Sequence, residues 1–416
     1  MKSINPDGKY YYQCSTCQKT YAAGSVIYLC PECAAKNSTV QPPYGVLNVI
    51  YDFASIRRKL KSFETLQQQH FLDILPINSI ESLPPLRIGN TPLYKTLQMD
   101  DEALPFHLLL KDDAQQPTFS FKDRASALVS AFAKEHHIHT IVTASTGNAG
   151  SSLAGICASQ NQKAIILVPA TAPLAKLTQI MMYGASIVPV DGSYDNAFDL
   201  SINATRSFGW YNRNTAFNPL TIEGKKTVSF ELFSQMEKRI PDRIFVPTGD
   251  GVILAGLYKG YEDLFHLGWI DRMPVIVAVQ SKGSDNLVRN LEADHFSIKS
   301  SSTIADSISV DIPRNFYLAK HYLKIYGGET IAVEDDEIIA ASAKLAHNTG
   351  IFTEPAAAAA FAAMLAYKKA EKLEKNSVNV VLLTGSGLKD LKAVSPFLKM
   401  PKAIAPTIEN LQKLIK

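Results

Sequence analysis

The chain has 416 residues, enough for two or three domains, and its 46% hydrophobic and 19% charged content is that of an ordinary globular protein. A net charge of +3 without a basic run argues against a nucleic-acid partner, and no apolar run reaches the ~18 residues a membrane helix needs. The opening Met-Lys-Ser-Ile-Asn-Pro-Asp-Gly lacks the apolar core of a signal peptide, so a cytoplasmic location is expected.

Four of the five cysteines, Cys14, Cys17, Cys30 and Cys33, form two CxxC units, leaving Cys157 as a small core residue. In a reducing compartment such pairs mean metal more often than disulfide. Two CxxC knuckles supply four sulfurs, which suits tetrahedral structural zinc. With all four positions taken by cysteine, no site is left open for catalysis, and the absence of a basic stripe favours a packing role. Pro42-Pro43-Tyr44-Gly45 marks a linker, so residues 1–45 read as a zinc ribbon with its tail. Val46 to Tyr51 alternates as a strand does. Residues 56–75 carry apolar positions near a 3.6 spacing and predict one helix ended by Pro76, and Pro84-Pro85-Leu86 is a second break.

The strand-like Phe106-His107-Leu108-Leu109-Leu110-Lys111 leads to Pro117-Thr118-Phe119-Ser120-Phe121-Lys122-Asp123-Arg124, followed by an apolar helix over residues 125–133. A lysine between a strand and a helix can be desolvated and held still. Desolvation lowers its pKa and makes its amine a candidate for Schiff-base chemistry. Read alone, Lys122 is more simply a surface loop lysine.

Downstream, short buried strands alternate with helices, which argues for parallel α/β units. After the strand Thr140-Ile141-Val142-Thr143-Ala144 comes Ser145-Thr146-Gly147-Asn148-Ala149-Gly150 and a small-residue helix. After Ile244-Phe245-Val246-Pro247 comes Thr248-Gly249-Asp250-Gly251-Val252-Ile253 and another helix. Each is a glycine-bearing turn opening onto a helix start, where free N–H groups and a positive dipole end suit a carboxylate or phosphate. Asp250 would set a carboxylate beside a phosphate, so its side chain must point away or cap the helix. Residues 285–314 are irregular and polar and show no chemistry. Glu354-Pro355 opens an alanine-rich helix, with proline favourable at its first turn. The apolar run Val378-Asn379-Val380-Val381-Leu382-Leu383 ends in Thr384-Gly385-Ser386-Gly387-Leu388-Lys389-Asp390.

The motif Ser120-Phe121-Lys122-Asp123-Arg124 resembles the SFKDR signature of pyridoxal-phosphate enzymes of the tryptophan-synthase-β type. Gly89-Asn90-Thr91-Pro92-Leu93, the Asn148 turn, Asn218-Pro219-Leu220-Thr221-Ile222-Glu223-Gly224-Lys225-Lys226-Thr227, Glu354-Pro355 and the Thr384 turn follow in matching order. Taken together, and with an archaeal-like ribbon in front, the chain resembles threonine synthases. The resemblance implies a fold of two α/β domains with the cofactor between them: residues 46–133 and 220–416 as the large domain, and residues 134–219 as a small mobile one. It implies pyridoxal 5'-phosphate held as an internal aldimine on Lys122, contacted by Asn148 and Thr384, with its phosphate on Gly249, Asp250, Gly251, Val252 and Ile253. It implies a substrate carboxylate on Ser145, Thr146, Gly147 and Asn148. The reaction implied is conversion of O-phosphohomoserine and water to threonine and phosphate, in an enzyme that is often a homodimer.

Four positions depart from the pattern, one of them Asp250, in a turn where the family has more glycine or asparagine. Thr221 stands where the family has a phosphate-binding arginine, Lys225 where it has glutamine, and Ser386 where it has histidine. Threonine cannot replace a doubly donating guanidinium. The sequence therefore keeps open a second enzyme, a serine or threonine deaminase or a related β-replacement synthase, and a third reading as a non-catalytic binding protein.

Overall fold

The computed structural model describes residues 8–23, 28–60 and 62–415. Most of the opening stretch read for a leader, residues 1–7, and part of the spacer between the CxxC units, residues 24–27, lie outside the described residues.

Three sheets organise the chain. The first is antiparallel, in the order β2 (Thr20–Ala22), β1 (Tyr10–Cys14), β3 (Leu47–Tyr51). The strand expected to open the large domain thus pairs along its whole length with the ribbon strand β1, from Tyr10 opposite Tyr51 to Cys14 opposite Leu47. The reason is burial: Tyr10, Tyr12 and Cys14 alternate inward against Leu47, Val49 and Tyr51, which also alternate inward.

The predicted helix over residues 56–75 is instead two short helices, Phe53–Lys59 and Phe63–Gln68, and a 3-10 turn, Leu72–Ile74. Asp52 and Ser62 each cap a helix start through a side-chain oxygen, and His70 and Phe71 take left-handed backbone angles. The local caps override the continuous apolar period.

The remaining strands are β4 (Leu93–Met99), β5 (Glu102–Asp112), β6 (Thr140–Ala144), β7 (Lys163–Pro169), β8 (Ser186–Val190), β9 (Tyr211–Asn212), β10 (Arg243–Pro247), β11 (Val275–Ser281), β12 (Glu329–Val333) and β13 (Val378–Leu383). The larger sheet runs β12-β11-β10-β13-β5-β4, parallel except for the edge strand β4. The smaller runs β8-β7-β6-β9, all parallel. Helices on both faces explain the nearly continuous apolar strands. The helix Pro355–Lys369 lies across one face of the larger sheet. Nine of its residues are buried alanine, phenylalanine or methionine, seven of them alanine, because short side chains let a helix pack close to strands.

Parallel strands deliver their connections at one edge, the carboxyl ends, where ligands bind in such sheets. The Lys122 turn follows β5, the Thr384 turn follows the adjacent β13, and the Gly249 turn follows β10. The Asn148 turn leaves the same end of β6 in the smaller sheet.

Behind the Lys122 helix (Lys122–Glu135) lies a buried ionic cluster. Arg124 donates from Nε and Nη2 to Asp113 at 2.6 and 3.0 Å, and from Nη1 and Nη2 to Glu231 at 2.6 and 2.8 Å. Lys111 joins Glu231 at 2.8 Å and the Thr91 carbonyl at 2.8 Å, which ties the Gly89–Leu93 segment to the floor beneath the helix. Breaking one partner strands the others without water, so Glu231→Gln is expected to cost about 3–5 kcal/mol in urea unfolding. A loss below about 1 kcal/mol would mean the cluster carries little stability. Burial by itself raises the Glu231 carboxyl, but Arg124 and Lys111 outweigh it and hold the group down at about 2. The stability it contributes is therefore complete above its ordinary value of 4.5 and lost as pH falls from there towards 2.

Candidate functional site

The side chains of Ser120–Arg124 divide their work. Lys122 is the first residue of its helix, half-buried, and its amine faces a cleft of about 440 Å³. Asp123 is fully buried and accepts from the Thr118 backbone N–H at 2.7 Å and from the Thr118 hydroxyl. With Arg124 locked to Asp113 and Glu231, both neighbours of the lysine are fixed inward. The Phe121 N–H donates to the Thr384 carbonyl at 2.9 Å, lacing the turn to the end of β13. Desolvation pushes the Lys122 amine down, the Glu354 and Asp250 carboxylates pull it up, Arg213 pushes it down, and the net direction is downward. A lowered amine has more of its free base near neutral pH, as a nucleophile and proton carrier needs.

Residues 145–148 and 249–253 line the same cleft as Lys122. Thr384 is buried behind the lysine turn and is tied to it by the backbone rather than lying on the cleft wall. Asn148 begins the helix Asn148–Ser159, and its amide donates to both oxygens of Glu354 at 3.0 and 2.9 Å and to the Ser307 hydroxyl at 3.2 Å. Glu354 is buried, and desolvation raises its carboxyl against the pull of Asn148 and Lys122. It thus braces Asn148 across the two sheets, and it also stands at the helix start that its sequence position indicated.

The Gly249 turn has the backbone form of an anion cradle. Gly251 takes φ +81° and precedes the helix Val252–His266, whose first N–H groups have no acceptor inside the helix. Asp250 does not cap that helix; its Oδ1 accepts from the Arg314 N–H at 3.0 Å, leaving the cradle to the backbone. A Cβ on Gly251 would lie 2.9 Å from the Ala319 Cβ, and the left-handed backbone disfavours any side chain. Gly251→Ala is expected to weaken pyridoxal-phosphate binding at least about 10-fold and to cost about 1–3 kcal/mol, read by cofactor titration and thermal melting. Unchanged cofactor affinity would remove the cradle assignment.

The four cysteines of the ribbon come together. Their sulfurs all lie within 4.8 Å of one another, with Cys14 to Cys33 at 3.8 Å and Cys17 to Cys30 at 3.7 Å. A tetrahedron with Zn–S of about 2.3 Å has sulfur–sulfur edges of about 3.8 Å. The donor set fits zinc, and the N–H groups of Thr16 and Cys17 point at the Cys14 sulfur from 3.3 and 3.4 Å.

Sequence reasoning missed several wall residues. Arg213, at the carboxyl end of β9, lines the cleft, and so do Tyr194 and residues 306–312 from the stretch that showed no chemistry. Arg213 follows a two-residue strand too short to announce itself, and residues 306–312 carry no regular element beyond one 3-10 turn (Asp306–Ile308). Of the two lysines left open, Lys225 reaches the cleft. Lys226 points away into a buried pairing with Glu223 at 2.5 Å and Asp263 at 2.6 Å. Thr221 is buried and donates to the Asn218 carbonyl at 2.7 Å, off the cleft wall.

Comparison with known proteins agrees with this geometry. Residues 85–385 match the pyridoxal-phosphate dependent enzyme family. The chain is 32% identical over 413 residues to the threonine synthase of Methanocaldococcus jannaschii, covering 97% of this chain and 99% of that one. It is 31% identical to the threonine synthase of Methanosarcina acetivorans, covering 98% of each. In fold it is similar to threonine deaminase isoform 2 from Solanum lycopersicum, with a TM-score of 0.66 and 23% identity over 81% of this chain and 94% of that one. Maize serine racemase is similar at a TM-score of 0.64 and 24% identity, over 74% and 91%. By the family match and a likeness that runs nearly the full length of both chains, the chain belongs to the pyridoxal-phosphate dependent enzymes, in their threonine synthase branch.

Proposed function

We propose that this protein converts O-phosphohomoserine and water to threonine and phosphate. The observation that carries this reading is the convergence on one cleft of the Lys122 amine with the turns at residues 145–148 and 249–253, in a chain similar to threonine synthases over nearly its whole length. Glycines at 249 and 251 leave the backbone free for the cofactor phosphate, and a cleft of about 440 Å³ is of ligand size. When bound, pyridoxal phosphate would supply the electron sink for negative charge developing at the substrate's α and β carbons.

The chain's own groups do the rest. The start of the helix Asn148–Ser159 orients the substrate carboxylate through backbone N–H groups of residues 145–148. Lys122, released by substrate, takes the α-proton and returns protons along the side chain as phosphate leaves and water adds. Glu354 keeps Asn148 aimed at the ring. Thr384, from behind the lysine turn, would offer the side of the ring nitrogen a neutral hydroxyl rather than a carboxylate, which suits elimination and replacement.

The mobile domain is residues 134–219, and its closure excludes water. Ion pairs across the cleft mouth support this: Arg314 with Asp195, and Lys176 with Asp306 at 2.9 Å. The ribbon holds one structural zinc, and four thiols kept for a metal fit a reducing compartment such as the cytoplasm. A homodimer is the assembly expected.

The test is product analysis with O-phosphohomoserine beside serine and threonine. Equal amounts of phosphate and threonine are expected. No phosphate, with ammonia and a keto acid from serine or threonine, would replace this reading with a deaminase.

A further inference from the structure

With Thr221 buried away from the cleft, the substrate's phosphate needs another cation. Among the described residues, two fully buried cations on the cleft wall, Arg213 and Lys225, have no carboxylate partner. Arg213 donates from Nε to the Ser126 hydroxyl at 3.1 Å and from Nη1 to the Thr215 hydroxyl at 3.2 Å, and its Nη2 has no acceptor. The Lys225 side-chain nitrogen has no acceptor among the described residues. The acids around the cleft are otherwise engaged. Asp195 pairs with Arg314, Asp306 with Lys176, Asp250 takes the Arg314 N–H, and Asp311 takes the Ser301 N–H at 2.7 Å.

We propose that Arg213 and Lys225 together seat the distal phosphate monoester of the amino-acid substrate, in place of the arginine absent at position 221. This rests on the reaction proposed above and names the groups that recognise its leaving group.

The chain is shaped to bring Lys225 there. The short helix Leu220–Lys225 is pressed between the Lys122 helix and the helix Val252–His266. A Cβ on Gly224 would fall 2.2 Å from the Arg124 carbonyl oxygen, and one on Gly256 would fall 2.7 Å from the Lys225 Cβ. Two glycines thus set Lys225 between the lysine and the cofactor cradle. An unpaired buried ammonium is costly, and proteins keep one where a ligand neutralises it. Desolvation first, then Arg213 and Lys122, pushes the Lys225 amine well down, and desolvation lowers Arg213 to about 10. A phosphate dianion arriving between them relieves both effects, and a guanidinium edge plus an ammonium match its oxygens. The cofactor's own phosphate already has the backbone N–H groups of the Gly249 turn.

The test uses the holoenzyme, with the cofactor phosphate in place, and inorganic phosphate as the probe in calorimetric titration. Lys225→Met is expected to weaken phosphate binding at least about 30-fold and Arg213→Gln at least about 10-fold, with Lys225→Arg restoring part of the loss. Cofactor affinity should change less than about 3-fold. Without phosphate, Lys225→Met should melt higher than wild type, because it removes a buried amine that has no acceptor; a merely structural lysine would melt lower. Phosphate affinity unchanged in both variants overturns the seat. Cofactor affinity falling in step with phosphate affinity also overturns it, assigning the pair to the cofactor's phosphate. If the variants lose phosphate binding as expected but the wild type releases none from O-phosphohomoserine, the seat stands and the reaction falls.

Discussion

Lys122→Ala is expected to reduce turnover by at least about 10⁴-fold and to abolish covalent attachment of the cofactor. Among the cleft lysines, Lys122 starts a helix at the carboxyl edge of the larger sheet and is placed by anchors on both sides. Asp123 holds Thr118, and Arg124 is clamped by Asp113 and Glu231. Lys225 cannot stand in, since its backbone is pinned against the Val252–His266 helix at Gly256. The variant should still fold, because Lys122 makes no pairing on which that cluster depends. Borohydride reduction followed by peptide mapping checks the assignment: a cofactor-labelled peptide containing Lys122 is expected from wild type. Retained turnover, or a label on another lysine, would sink it.

The second large effect is metal removal from the ribbon. Structural four-cysteine zinc sites contribute folding free energy directly, with apparent values of about 10–16 kcal/mol in isolated fingers. Here the ribbon is joined to the catalytic body, so part of that energy is shared. Tyr51 on β3 donates to Glu223 at 2.6 Å, and Glu223 sits in the short helix that carries Lys225. The Tyr28 hydroxyl accepts the Asn212 N–H at 3.0 Å, one residue before Arg213, and its ring stacks on Phe217 at 4.6 Å. Losing the zinc should therefore lower the melting temperature by about 5 °C or more and reduce activity as well. Metal analysis of freshly purified, reduced protein should give about one zinc per chain. Cys33→Ser should reproduce the loss. Metal-free protein with full stability and activity would show that the cysteines are spectators.

Both effects were visible in the sequence because local chemistry reports itself locally. Lysine between a strand and a helix, glycine turns before helices and paired CxxC units are short-range patterns. Their spacing dictates the local geometry whatever the rest of the chain does. The parallel α/β layering was legible for the same reason, since strands buried on both faces read as apolar runs. The break in the 56–75 helix was harder to see, because the two capping oxygens of Asp52 and Ser62 compete against an apolar period that looked continuous.

What the sequence by itself determined is most of the elements and the candidate side chains: the lysine that the family resemblance marks for the aldimine, two glycine turns before helices and four thiols. Only the tertiary structure decided which of them share a cavity with residues far away. Arg213 and Ser307 enter the site from segments with no regular pattern, Lys225 turns inward while its neighbour Lys226 turns outward, and β3 joins the ribbon. The physical reason is that burial and pairing are long-range. A cation's partner, or its lack of one, depends on strands separated by hundreds of residues, and no local spacing encodes it.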